Sequence, residues 1–220
     1  MALIRLGPSA AAKEKRLAAL LDGRDPAGLG LDEAVREAQA RGSLELAGEA
    51  SPDAAAALRR AVDAVDPRAP FTTEALVAWH RALGLGTGFR TREKERASGP
   101  PPAPPDFIAG RLAILQEWLA VESSRELKPA QAGALVMARI AEILPFDAGN
   151  GRVARLAASH LMVRAGARPP LLLGADAARL EAAIGAAFQL ATEPLTTLLD
   201  EASERALDVM IRALDASEAP

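Results

Sequence analysis

Gly149-Asn150-Gly151-Arg152, with Arg155 one turn further on, is the stretch of this 220-residue chain best suited to hold an anion. Glycines let a backbone turn tightly and approach a ligand closely. Successive backbone N–H groups in such a turn form a concave anion site. A helix that begins there adds free N–H groups and a positive partial charge. Residues 152 and 155 share one helix face, so two forked guanidinium groups point the same way. The same residue types also suit a turn that only caps a helix and pins its neighbours.

Groups that could move a proton or hold a metal are scarce around this loop. Upstream it reads Leu144-Pro145-Phe146-Asp147-Ala148. Leucine has no titratable proton, alanine no ligand atom, and Asp147 is the single carboxylate. The chain has two histidines and no cysteine. His80 reads as a packed or capping residue, and His160, two turns beyond Arg152, as a structural one. A metal triad, a thiolate site and a Ser–His pair are thereby excluded. A second cationic stretch is Arg90, Arg92, Lys94 and Arg96, interleaved with Glu93 and Glu95. It reads as a solvated mixed-charge face, and Arg90 and Arg92 are its candidate phosphate contacts.

The elements that must position these groups are helical. Hydrophobic residues make up 50% of the chain and aromatics only 3%, with alanine in excess, which favours an all-α fold. Helices are expected over 10–21, 31–39, 52–65, 73–83, 106–121, 129–143, 152–165, 175–191 and 194–214. Residues 1–9 read as a loose arm, and Gly42 as the end of the second helix. Trp79 and Trp118 are expected in the core. Residues 122–128 read as a polar loop. Prolines at 100, 101, 102, 104 and 105 forbid helix there and favour extended backbone. The net charge of −3 gives no general field for nucleic acid, and no apolar run reaches membrane-spanning length. A cytoplasmic protein is expected.

Residues 144–155 resemble the signature of the Fic (Fido) family, H-x-F-x-[D/E]-G-N-G-R-x-x-R. Phe146, Gly149, Asn150, Gly151, Arg152 and Arg155 match it. The signature histidine falls on Leu144 and the signature acid on Ala148. The resemblance implies a helical bundle with this loop between two central helices, and a small β-hairpin flap upstream within residues 86–105. It divides the chain into an arm and short helix at 1–30, a Fic-like domain at 31–195 and a C-terminal helix at 196–220. Family members mostly transfer AMP from ATP to a protein hydroxyl. Their histidine is the general base and their acid holds Mg²⁺. Ser43-Leu44-Glu45-Leu46-Ala47-Gly48 resembles the family's inhibitory motif, [S/T]-x-x-x-E-[G/N], whose glutamate pairs with the second signature arginine. Here that position is Ala47, leaving Ser43, Ala47 and Gly48 as a remnant, with Glu45 and Glu49 out of register.

The resemblance therefore implies a Fic protein without base, metal ligand or brake. Gly149, Asn150, Gly151, Arg152 and Arg155 would still cradle ATP or another nucleotide, without Mg²⁺. A binding or regulatory module acting on an unknown protein target is the leading expectation. A divergent transferase with another base or donor, and a nucleic-acid binder on the same fold, stay open. So does a homodimer, since the sequence alone marks no self-complementary face.

Overall fold

Alanine- and leucine-rich stretches punctuated by proline and glycine form nine α-helices among the described residues, and no strand. The computed structural model describes residues 8–97, 99–121 and 126–217. The helices are α1 (Pro8–Leu20), α2 (Leu31–Ala47), α3 (Pro52–Asp63), α4 (Thr73–Ala82), α5 (Ile108–Ala120), α6 (Pro129–Ile143), α7 (Asn150–Arg164), α8 (Ala177–Ala187) and α9 (Glu193–Ser217). Most of the expected arm, and residues 122–125 of the expected polar loop, lie outside the described residues; Pro8 and Ser9 belong to α1. No helix among the described residues is long and apolar enough to cross a membrane.

Local chemistry sets many helix ends. Ser51 and Thr72 accept from the N–H groups of Ala54 and Ala75, both at 3.1 Å, and so cap α3 and α4. Pro129 starts α6 at the position where a missing N–H is tolerated. Gly48, at φ 64, ends α2 in left-handed geometry. Gly42 does not end α2, contrary to the sequence expectation. A Cβ there would lie 2.1 Å from the Leu172 carbonyl oxygen, so the glycine serves close approach rather than termination.

The central pair is α6 and α7, joined by the loop 144–149. Their facing residues, among them Val136, Met137, Ile140, Val153 and Ala157, anchor the main core, which extends to α3, α4, α5, α8 and the start of α9. A second core joins α1, α2 and the rest of α9 through Leu17, Val35, Leu207 and Met210. Trp79 is buried as expected. Trp118 is not: it is 39% exposed, because α5 turns Ile108, Leu112 and Leu115 inward instead.

The expected hairpin flap does not form among the described residues. Proline has no N–H to donate to a ladder, so Pro100, Pro101, Pro102 and Pro104 cannot pair as a strand. The two arms of the segment attach separately to the end of α6 and the loop after it. The Arg90 N–H donates to the Pro145 carbonyl at 2.9 Å, and the Ala103 N–H to the Ile143 carbonyl at 3.3 Å.

His160 lies in the core against Trp79 and Phe71, with ring centroids 5.5 and 6.3 Å away. Neither ring nitrogen has a hydrogen-bond partner of good geometry. Burial, helped by the nearby Arg164 charge, pushes its pKa down to about 4. The unfolded chain therefore takes up a proton first as the pH falls. Stability from this residue is complete above about pH 6.5 and is lost towards pH 4, by up to about 3 kcal/mol. Thermal melts between pH 7 and 4 are expected to show this slope, and His160→Leu to flatten it. An unchanged slope in His160→Leu would place the titrating group elsewhere.

Candidate anion-binding site

The loop between α6 and α7 is held from within. Leu144 caps α6 in left-handed geometry, φ 49, and turns the chain sharply. Phe146 is fully buried and stacks on His80, with centroids 3.9 Å apart and planes 6° from parallel. The Asn150 side chain bonds the Phe146 backbone twice: its Oδ1 accepts from Phe146 N at 2.9 Å, and its Nδ2 donates to Phe146 O at 2.7 Å. Asn150 thus builds the loop, and its amide is not free for a ligand as the sequence reading had it. Gly149 sits at φ 75, and a Cβ there would meet Leu85 Cδ1 at 2.3 Å. The left-handed φ favours glycine here, and any larger residue would also have to push the Leu85 side chain aside.

His80 is buried, with its Nε2 3.1 Å from the Ala148 carbonyl oxygen. That contact makes Nε2 the protonated nitrogen. Burial lowers its pKa, so the ring stays neutral and donates. His80 braces the loop and is not a base for a ligand above it.

The cationic run at 90–96 is a set of staples, not the solvated face expected from its charge pattern. Arg90 is 2% exposed. Its guanidinium donates to the carbonyls of Leu144 and Arg92, both at 2.7 Å, and to that of Ala103. Lys94 donates to the Asp147 carbonyl, and Arg96 to those of Ala141 and Glu142. Arg90 is therefore no phosphate contact, since it is buried and each of its three guanidinium nitrogens donates to a backbone carbonyl. Arg92 is exposed, and its carbonyl serves Arg90. Charge alternation in sequence reports exposure only on a regular face, and this segment has none.

Arg152 and Arg155 both lie against the end of α2. Arg152 makes a bidentate pair with Glu49, at 2.8 and 3.0 Å. Arg155 donates to the Ser43 hydroxyl at 2.7 and 3.0 Å and to the Ser43 carbonyl at 3.2 Å. Ser43 thus meets the second arginine, whereas Ala47 is exposed and Gly48 is the helix cap. The carboxylate that reaches the site is Glu49, two residues past Ala47 and bound to the first arginine. A contact spanning 103 residues left no mark in the local pattern.

Arg155 has no carboxylate within 4 Å among the described residues. Burial, with the Arg152 charge beside it, lowers its pKa to about 10, so it stays charged at neutral pH. α7 begins here with no side-chain cap and no acidic residue in its first turn, and Gly151 is exposed. Beside Arg155 opens a cavity of about 920 Å³. Arg96, Leu180, Ile184 and Phe188 also line it, and the Arg96 guanidinium lies 4.7 Å from the Phe188 ring centroid. The opening offers the Arg155 and Arg96 guanidinium groups beside an apolar wall of Leu180, Ile184 and Phe188, with the Glu181 carboxylate also on its lining. It suits an anion attached to a flat or apolar body.

The donor set does not fit Mg²⁺. That ion wants several oxygens in an octahedron. Position 148 is alanine, Glu49 is held by Arg152, and Asp147 stands alone. No group of three His, Asp or Glu side chains converges among the described residues.

Residues 70–162 match the model of the Fic/DOC family. Protein adenylyltransferase fic-1 of Caenorhabditis briggsae is 28% identical over 116 residues, which are 53% of this chain and 23% of the relative. The chain spans about a quarter of the length of the curated relatives it matches. A Fic domain containing signaling protein from Bacteroides thetaiotaomicron superposes with a TM-score of 0.76 at 18% identity, covering 96% of this chain and 100% of that one. Fic-1 from C. elegans superposes at 0.70 and 19% identity, over 95% and 74% of the two chains. At these identities the structural likeness is one of fold.

Proposed function

The chain carries a Fic/DOC-family segment at residues 70–162 on a Fic-type helical fold, and from that premise we propose that it is a nucleotide- or phosphate-holding regulatory module that does not adenylylate proteins. The observation that carries this reading is Arg155, a buried guanidinium with only neutral partners among the described residues, lining a cavity and one turn from an uncapped helix N-terminus. An anion would supply the charge the site lacks.

Several features argue against transfer. Leu144 cannot take a proton from a target hydroxyl, a loss on the order of 10²–10⁴ in rate. Ala148 offers no metal ligand. His80, the nearest histidine, is bonded to the Ala148 carbonyl. Glu49 adds a competing carboxylate at Arg152, so an incoming phosphate must displace it or settle on Arg155 alone. The nucleic-acid reading has lost its support, because three of the four cations at 90–96 are bonded to backbone carbonyls.

Calorimetric titration of ATP, with and without Mg²⁺, into the natural protein and into Leu144→His/Ala148→Asp tests the proposal. The natural protein is expected to bind ATP equally with and without Mg²⁺, at roughly 10–100 µM. It is expected to transfer no labelled AMP. The double variant is expected to bind more tightly when Mg²⁺ is present. Transfer by the natural protein at a rate matching the double variant would sink the proposal. So would ATP binding seen only in the double variant.

A further inference from the structure

The cavity beside Arg155 is walled on one side by a single face of α8. Ala177, Leu180, Glu181 and Ile184 recur at helical spacing, and Phe188 follows just past the helix end. The wall has a direction. At its start the Gly174 N–H donates to Glu45 of α2, the helix that also holds Ser43 against Arg155. At its far end Phe188 meets Arg96 and Gly99. The Arg96 guanidinium lies 4.7 Å from the ring centroid, and a Cβ on Gly99 would stand 2.9 Å from Phe188 Cδ2. An anion on Arg155 therefore sits at the α2 end, with its body against Leu180, Ile184 and Phe188.

Two opposite charges flank that body. Glu181 is exposed and forms no hydrogen bond or ion pair among the described residues. Arg96 is bonded to the Ala141 and Glu142 carbonyls, not to a carboxylate. Glu181 and Phe188, where Arg96 rests, are seven residues apart, about 10 Å along the helix. A purine lying between them has a carboxylate on one side and a cation on the other. Guanine matches that polarity. Its O6 and N7 acceptors share one side, and its N1–H and N2–H donors adjoin on the other. A carboxylate accepts from both donors at once, and a cation favours the O6 and N7 side. Adenine opposes it, because its N6 amino group turns towards the cation and its N1 acceptor towards the carboxylate.

We propose that, given a phosphate held by Arg155 as proposed above, this cavity selects guanine nucleotides over adenine nucleotides, and that Glu181 is the residue that reads the base. Glu181 faces solvent, so the discrimination is about tenfold, towards the lower end of what a bidentate side-chain contact to a base achieves.

Titration calorimetry with GTP, ATP, inosine triphosphate and pyrophosphate, all without Mg²⁺, tests it. GTP is expected to bind about tenfold more tightly than ATP. Inosine triphosphate keeps N1–H but lacks the 2-amino group, and is expected between the two. Pyrophosphate has no base and reports on the anion site alone. Glu181→Gln leaves one acceptor where guanine needs two and adds a donor for adenine N1. In that variant the ratio of GTP to ATP affinity is expected to fall from about ten to about one. Loss of the Glu181 charge acts on both triphosphates alike, so the ratio is the readout. The side chain is exposed, and the melting temperature is expected to hold. Equal binding of GTP and ATP by the natural protein would overturn the base assignment, as would a ratio that Glu181→Gln leaves unchanged. Pyrophosphate that still binds would in either case leave the anion site standing. Failure of all four compounds to bind would overturn both.

Discussion

Arg155→Met is expected to weaken ATP binding by about 100-fold while leaving the protein at least as stable as before. A charge-assisted hydrogen bond contributes about 1.5–3 kcal/mol, and 100-fold corresponds to about 2.8 kcal/mol. The guanidinium is buried and, among the described residues, bonded only to Ser43. Removing a buried charge that has no opposite charge is often neutral or stabilising when the replacement fills the same space. Methionine is long and flexible enough to do so. Two readings of the loop divide on this variant. If Arg155 only pins α7 to α2, the melting temperature falls and ATP affinity does not move. If it receives an anion, affinity falls and the melting temperature holds. The companion variant Glu49→Ala releases Arg152 and is expected to tighten ATP about tenfold, the size of one charge-assisted contact no longer in competition. Titration calorimetry and thermal melts on the two variants separate the cases.

Gly42→Ala is expected to destabilise the protein by about 3 kcal/mol, a fall in melting temperature of about 9 °C for a chain of this size. In an exposed helix the same change stabilises by nearly 1 kcal/mol. The sign reverses because the new methyl would stand 2.1 Å from the Leu172 carbonyl oxygen and 3.2 Å from its carbon. Backbone atoms cannot rotate aside as a side chain can. α2 must then lift from the segment 171–173, carrying with it the adjacent Ser43, Arg155's only hydrogen-bond partner among the described residues. Loss of stability should therefore come with altered ATP affinity. A melting temperature that rises would mean α2 does not seat on Leu172.

The anion site shows where sequence reading reaches and where it stops. Gly149, Arg152 and Arg155 stand out because a turn and a helix start are local events, set by backbone freedom and periodicity. Asn150 was equally visible, but its task was not, since the choice between ligand and Phe146 backbone depends on how the loop closes. Arg90, Lys94 and Arg96 mislead for a related reason. Their alternation with glutamates looks like a solvated face, yet the segment is irregular and its cations bond the free carbonyls at the end of α6 and in the loop after it. Glu49 stood two residues from the expected brake position, and only the end of α2 at Gly48 swings it onto Arg152.

By itself the sequence determined the all-α class, most helix limits, the loop after α6 and the absence of a titratable side chain at positions 144 and 148. Each of these is written in residue type and short-range spacing, which helix propensity, glycine and proline read directly. Tertiary structure alone decided that Gly42 is a contact and not a stop, that His80 braces the loop, that Glu49 occupies Arg152 while Arg155 is left without a countercharge, and that Trp118 faces out. The physical reason is common to all four. Burial and pairing depend on which surfaces meet across many tens of residues, and the pattern that sets helix period carries no record of that distance.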